Sequence, residues 1–338
     1  MEACQKYMID TKKDLVAGHN CFLASLRCIT EHFGCKYSET QLFLISNGFQ
    51  IRYSYNLNYI GRHTTEGLNE FGERTLIPVT IRSRDIDEMI PEEMAQALSS
   101  SMLMLSVNTK YLSYSRLYAE NENRQHTIVL NGIDFNEKNV HIMDIYMLDY
   151  MGNISTYRGK ISFDEMVAAT YRYSFFCFNN KKDLSKPEIL QYACADFREF
   201  MKGSEDKEES YGSLALKNYV KDILKLEAFD NGDLTSTCTN INYNIKIRSF
   251  NYINKYLACF LDENAALANR DNEELLSRIR WHMAEWEKVG LAILRIGISK
   301  RKSNLANIYE KIIQLFDSQM KAYDQFYRIL KEAASSCI

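Results

Sequence analysis

The spacing of apolar residues changes near Pro187, and that change limits the folds open to the chain. Before it, "TLIPVTIR" (75–82), "SMLMLSVN" (101–108), "TIVLNGI" (127–133), "NVHIMDIY" (139–146) and "YSFFCFN" (173–179) read as strands, being short and β-branched or aromatic. Residues 21–33, 38–46, 85–98 and 162–170 carry helical spacing. After about residue 185 the apolar positions recur at three and four almost throughout, and runs 274–298 and 304–334 keep that spacing over many turns. The expected architecture is α+β over residues 1–183, followed by a mainly α-helical C-terminal domain over 184–338. Between them "KGSEDKEES" (202–210) reads as a solvated loop or linker.

Charge and cysteine usage narrow the function classes. A formal net charge of -3 offers no electrostatic case for nucleic acid or an anionic membrane. No apolar run approaches the ~18 residues of a membrane span, and the first twenty residues are too polar for a signal peptide. A cytoplasmic location is expected. The nine cysteines are odd in number and lack a CxxC pair, so a disulfide framework is not expected. Histidines 19, 32, 63, 126, 141 and 282 form no ligand-spaced group, and no metal or bound cofactor is expected.

In "AGHNCFLASLRCITEHFG" (17–34), His19 or Asn20 supplies an N-cap, and Phe22, Leu26, Ile29 and Phe33 mark a core-facing stripe. Cys21 then sits in the first helical turn, where unpaired N–H groups and the macrodipole stabilise a thiolate. The same N–H groups can donate to a developing oxyanion. A small buried residue at a helix start is the competing reading, and for Cys28, one heptad on, core packing is the better one.

A nucleophilic cysteine needs a base, and the base an orienting group. In "RQHTIVLNGIDFNEKNVHIMDIY" (124–146) two strands flank the turn "DFNEK". With the turn centred near Asn136, residue 126 pairs with 146 and 128 with 144. His126 and Asp144 then share a face as diagonal neighbours, provided that no odd offset or bulge intervenes. Cysteine at an early helix start, histidine on a strand and aspartate on the next strand follow the order of papain-like cysteine enzymes. There a helix-borne thiolate faces an antiparallel sheet that carries the base. His126 would relay the proton, and Asp144 would fix its tautomer.

Two segments, "GHNCFLASLRCITEHFGCKYSETQLFLISNGFQIRYSY" and "MLSVNTKYLSYSRLYAENENRQHTIVLNGIDFNEKNVHIMDIY", resemble the butirosin biosynthesis protein H family. The likeness runs in order over roughly residues 15–180. It includes the stretch from Gly48 to Tyr55 and the turn with Tyr111, Leu112 and Tyr114. The resemblance implies a papain-like fold used for amide formation, as in butirosin and closthioamide-type pathways of antibiotic and nonribosomal biosynthesis. It implies Cys21 as acyl acceptor, His126 as general base and acid, and Asp144 as orienter. The implied donor is a thioester on the phosphopantetheine arm of an acyl or peptidyl carrier protein, and the acceptor a small-molecule amine. Asn108 stands where an acid is expected. Leu15 stands near the place of the papain-type oxyanion glutamine, which leaves the Cys21 N–H with His19 or Asn20 as candidate donors.

"FQIRYSYNLNY" (49–59) offers Arg52, Tyr53 and Tyr55 as candidate pocket residues, and "ISKRKSN" (298–304) a basic run that a carrier's acidic surface would favour. Two other readings use the same residues. A cysteine peptidase or amidohydrolase would deliver water to the acyl-enzyme. A non-catalytic scaffold would keep a neutral, unreactive Cys21 thiol.

Overall fold

The computed structural model describes residues 6–11, 14–57, 59–83, 91–120, 124–148, 153–264 and 270–335. In chain order come β1 (Lys6–Met8), α1 (Cys21–His32), α2 (Glu39–Ile45), β2 (Arg52–Ser54), β3 (Tyr59–Gly61) and α3 (Thr64–Thr75). Next are β4 (Val79–Ser83), α4 (Pro91–Leu98), β5 (Leu103–Asn108), α5 (Arg116–Glu120), β6 (Gln125–Asp134) and β7 (Asn139–Leu148). Then follow β8 (Ile154–Ser162), α6 (Phe163–Ala169), β9 (Thr170–Phe176), α7 (Lys186–Lys202), β10 (Ser204–Glu205) and β11 (Glu209–Tyr211). The chain continues with α8 (Gly212–Ile223), α9 (Asn231–Tyr243), α10 (Phe250–Glu263), α11 (Arg270–Ser299) and α12 (Leu305–Ser335). Mixed α+β structure with antiparallel sheets and a helical C-terminal region is therefore the architecture. Residues 84–90, the start of the helix expected over 85–98, lie outside the described residues.

Two compact units divide the chain. The first comprises residues 1–42 and 64–183, the second 43–63 and 184–338. A cut at 183/184 thus lies on the division, but residues 43–63 leave the first unit for the second. The reason is strand pairing: β2 joins β3 on one side and β11 on the other, through Tyr53↔Ser210 and its neighbours. "KGSEDKEES" is accordingly not a linker. Its carboxylate Asp206 accepts the N–H groups of Glu208 and Glu209, both at 2.8 Å, and folds the run into the β10–β11 hairpin. Charged side chains suit such a short edge.

In the first unit, the main sheet runs β4-β9-β5-β6-β7-β8, with β1 paired to β6. Residues of one parity, among them Leu105, Ile128, Leu130 and Ile142, bury against Met94 and Met166 of α4 and α6. Helix α1 packs across β6 and β7, and Phe22, Leu26 and Ile29 are at most 4% exposed. Each such side chain contributes roughly 1.5–3 kcal/mol by leaving water. Strand β8 and helices α3 and α5 escaped the sequence reading; β8 is largely polar and only half-buried, so it carries little hydrophobic signal.

In the second unit, α7 to α12 surround a core rich in aromatic side chains, with Phe250 stacked on Trp286 at 3.8 Å. No helix among the described residues is long and apolar enough to cross a membrane.

Candidate active site

Asn20, in extended backbone, caps α1: its Oδ1 accepts the N–H groups of Phe22 at 3.0 Å and Leu23 at 3.2 Å. Such a cap contributes roughly 0.5–2 kcal/mol. The Ala24 N–H bonds the Asn20 carbonyl at 2.9 Å. Among first-turn donors, these bonds leave the Cys21 N–H untaken. The preceding turn is held by Glu39, whose carboxylate accepts the N–H groups of His19 and Asn20 at 2.9 and 3.0 Å. Arg27 reaches the same carboxylate at 3.7 Å and donates to the Val16 carbonyl. Gly18 passes so close that an added Cβ would lie 2.2 Å from Ala24 Cβ and 2.7 Å from Glu39 Oε2. Because Ala24 is fully buried, Gly18→Ala is expected to displace this turn and destabilise the protein by about 1–3 kcal/mol. Urea unfolding, followed by helical circular dichroism, checks this; an unchanged midpoint would mean the turn is not sterically locked.

The hairpin β6–β7 brings the histidine and aspartate together by an indirect route. At its turn the pairs are Asp134↔Asn139, Ile133↔Val140 and Gly132↔His141; beyond Asn131 they become Leu130↔Ile142 and Val129↔Met143. Asn131 is thus an extra residue in β6, a bulge. Straight continuation of the register at the turn would set Val129 opposite Asp144 and send His126 to the other face. With the bulge, Ile128 comes opposite Asp144, and His126 is the diagonal neighbour on the same face. Segment 6–9 braces the bulge: the Ile9 N–H bonds the Asn131 carbonyl at 2.8 Å, and Asn131 Nδ2 returns to the Ile9 carbonyl at 3.2 Å. A second irregularity, in the β7–β8 pairing between Asp144 and Met147, leaves the Tyr146 N–H to donate to Asp144 Oδ1 at 3.1 Å.

His126 Nε2 lies 2.9 and 3.0 Å from the two oxygens of Asp144. Asp144 Oδ2 also accepts from the hydroxyls of Tyr114 at 2.8 Å and Tyr118 at 3.0 Å. The carboxylate, 0% exposed, therefore has four donor groups, as burying a charge requires. Nε2 being engaged, Nδ1 is the nitrogen left for Cys21, whose side chain hydrogen-bonds His126. Ser25, one helical turn on, donates to the Thr127 carbonyl at 3.4 Å and ties α1 to β6 beside the pair.

Electrostatics at these three groups are mutually dependent. Burial alone would raise the Cys21 thiol, but the His126 charge and hydrogen bond, with a further bond from the Thr127 backbone, bring it below its ordinary value. Burial would lower His126, yet the Asp144 carboxylate and the Cys21 thiolate carry it well above its usual range. Asp144, raised by burial, is held down by His126 first and then by the Tyr146 N–H and the Tyr114 hydroxyl. Tyr114 and Tyr118 are pushed upward by burial and by the Asp144 charge, so both stay protonated as donors. The lowered thiol and the raised imidazole both favour their charged forms, so each shift runs toward a thiolate–imidazolium pair.

Cys21, His126 and Asp144 are thus brought together within the first unit. Asn20 is committed as the helix cap through its side-chain oxygen, and His19 is exposed beside it. Arg52, Tyr53 and Tyr55 belong to the second unit and are engaged there. Tyr53 is fully buried, donating to Asp222 at 2.6 Å and accepting the Leu57 N–H at 2.8 Å. Arg52 pairs with Glu209 at 3.1 Å and with His63, and Tyr55 packs edge-on against Tyr53. Tyr53 is therefore a core residue of that unit, not a pocket wall. In the basic run, Lys300 and Arg301 are exposed at the end of α11, whereas Lys302 binds the carbonyls of Glu227 and Phe229.

Sequence reasoning missed Tyr118 and Glu39, and met Tyr114 only as part of a turn motif. The closeness of the two tyrosines in "YSRLY" is the signal that would have found them, although Tyr114 lies in the turn before α5 and only Tyr118 in the helix. Tyr114 is further positioned by stacking on Tyr157, opposite Asp144 in β8, at 4.3 Å. Among the described residues no group of three or more His, Cys, Asp or Glu is placed to hold a metal ion. Comparison with protein-family models finds no match, and neither does comparison with curated proteins.

Proposed function

We propose that this chain is a papain-like cysteine acyltransferase that forms amides, with Cys21 as nucleophile, His126 as base and acid, and Asp144 as orienter. The observation that carries the reading is the thiol at the start of α1, lowered by an imidazole that a fully buried carboxylate holds in place. The Cys21 thiolate attacks the carbonyl of a thioester, and the Cys21 N–H supplies a donor for the oxyanion. Collapse expels the donor's thiol, which leaves with the proton of the His126 imidazolium, and an acyl-Cys21 thioester remains. An amine then attacks, His126 takes its proton, and the amide departs with the thiolate–imidazolium pair restored.

The reading assigns the thioester to the phosphopantetheine arm of a carrier protein and the acceptor to a small-molecule amine, as the sequence resemblance implies. The test is intact-protein mass spectrometry after mixing with acyl thioesters, with Cys21→Ala in parallel. An acyl adduct is expected on the wild type and none on the variant, and added amines should discharge it to amides. Discharge only to free acid, whatever the amine, would replace the transferase by a hydrolase. No adduct, together with sluggish alkylation of Cys21, would leave a scaffold.

A further inference from the structure

Two sets of contacts meet at Cys21 from different elements. His126, held by Asp144, reaches its side chain from the β6–β7 hairpin. Glu39, the first residue of α2, reaches instead the backbone just ahead of it. This carboxylate is 4% exposed. It accepts the His19 N–H on both oxygens, at 2.9 and 3.0 Å, and the Asn20 N–H on Oε1 at 3.0 Å. The start of α2 is capped by other residues: the Gln41 N–H bonds Ser38 Oγ at 3.1 Å, and the Ser38 N–H bonds Gln41 Oε1 at 2.9 Å. The Glu39 side chain is thus spent on the turn before the nucleophile, not on its own helix.

What that turn controls is the direction of one N–H group. The Asn20 carbonyl accepts the Ala24 N–H at 2.9 Å, so it points into α1. A trans peptide turns the attached Cys21 N–H the opposite way, out of the N-terminal end of the helix. Its aim therefore depends on Asn20, which sits at φ -151° and ψ 136°. Asn20 is clamped at three atoms: its Oδ1 and its carbonyl by α1, and its N–H by Glu39. The first two clamps belong to the helix itself, whereas Glu39 holds from outside it. Arg27 steadies the carboxylate at 3.7 Å and also donates to the carbonyls of Val16 and Ala17. Gly18 leaves it room, because a Cβ there would lie 2.7 Å from Oε2.

We propose that Glu39 is a positioning residue for the oxyanion donor: it aims the Cys21 N–H at the carbonyl under attack, while His126 and Asp144 act on the sulfur. The inference rests on the acyltransferase reading. As the thiolate adds to a thioester, the C–S bond forms, the π pair of the carbonyl moves to oxygen, and that oxygen takes the Cys21 N–H. Alkylation by iodoacetamide displaces iodide from a saturated carbon and generates no oxyanion. Both reactions use the same thiolate, and only the first uses the N–H. Misplacing the donor by ~1 Å slows acylation by up to about 10²-fold and leaves alkylation as it was.

The test compares two rates on the whole chain, acylation by the acetyl thioester of N-acetylcysteamine and alkylation by iodoacetamide, both read by intact mass. Glu39→Ala removes the acceptor of both N–H groups, and the acylation-to-alkylation ratio should fall at least tenfold. Glu39→Asp keeps the charge but draws it back by one methylene, and the ratio should fall at least threefold. Glu39→Gln is the rescue, because Oε1 alone already accepts both N–H groups; its ratio should lie closer to the wild type than either. The pH profile of alkylation should coincide in all four proteins. A residue that only supports the fold would slow both reactions together or neither. A ratio within twofold of the wild type in Glu39→Ala and Glu39→Asp would therefore overturn the inference and leave the acyltransferase reading in place. If circular dichroism shows Glu39→Ala unfolded, Glu39→Asp decides by the same ratio. Absence of any acyl adduct on the wild type, with Cys21 still alkylated, would overturn the acyltransferase reading itself and the inference with it.

Discussion

His126→Ala is expected to slow alkylation of Cys21 by iodoacetamide at pH 6.5 by about 10²-fold or more. An unperturbed thiol near pKa ~8.5 is only about 1% thiolate at that pH. In the variant the imidazolium is gone while burial remains, and burial is the largest influence on this thiol and acts upward. The sign follows: a lowered pKa makes thiolate available at lower pH, so the wild-type rate rises with pH earlier than that of a free thiol. The variant's rise moves to higher pH than a free thiol's. At the upper end, the raised pKa of His126 keeps the imidazolium beyond the usual histidine range. Both shifts, the thiol's downward and the imidazole's upward, favour the ion pair. Rates measured from pH 5 to 10 on both proteins settle it; superimposable profiles would mean that His126 does not govern the thiol.

How far such a site is legible in sequence depends on which interactions build it. Helix α1 was readable because its cap, its apolar stripe and its cysteine all lie within fifteen residues. The hairpin was readable for a less direct reason. A turn centred at Asn136 gives the pairing 128–144, but the turn has four residues, 135–138, closed by Lys138 at φ 50° and by Asp134 bonding the N–H groups of Asn136 and Glu137. That offset alone would have separated His126 from Asp144, and the bulge at Asn131 cancels it. Nothing local to "VLNGI" announces a bulge. What selects it is the contact of Asn131 with Ile9, more than a hundred residues away in sequence.

The same distinction explains the other differences. Glu39 holds the turn before Cys21 from nearly twenty residues away, and its side chain reads in sequence only as an acidic first-turn residue of α2. Residues 43–63 leave the first unit because β2 pairs with β11, a contact over more than 150 residues. The tyrosine-rich stretch 49–59 gave no hint of that partner, since aromatic residues suit a pocket wall and a core equally. Tyr53 became core through Asp222 and Tyr219, both supplied by α8.

Asp144→Ala should be among the most destabilising single substitutions in the first unit, by about 3–5 kcal/mol. Removing the fully buried carboxylate takes the acceptor from the Tyr114 hydroxyl and the Tyr146 N–H, and leaves the Tyr118 hydroxyl and His126 Nε2, 3.1 Å apart, with only each other. Orphaned buried donors cost about 1–3 kcal/mol each before relaxation. At about 2–4 °C per kcal/mol for a unit of this size, the melting temperature should fall by about 10 °C. Acid should erase the difference. Asp144 has a folded pKa below its unfolded value of ~3.9, so its contribution is complete above that value and is lost as pH falls through the folded one. The wild type and the variant should therefore converge at low pH. The triple variant Asp144→Ala, Tyr114→Phe, Tyr118→Phe separates orphaned donors from simple loss of packing. With both hydroxyls removed it should regain part of the lost stability, because apolar replacement of both partners costs less than stranding one. It should not regain fast Cys21 alkylation, since His126 would still lack its orienting carboxylate. A triple variant no more stable than Asp144→Ala would show that the tyrosine hydroxyls place no demand on that carboxylate.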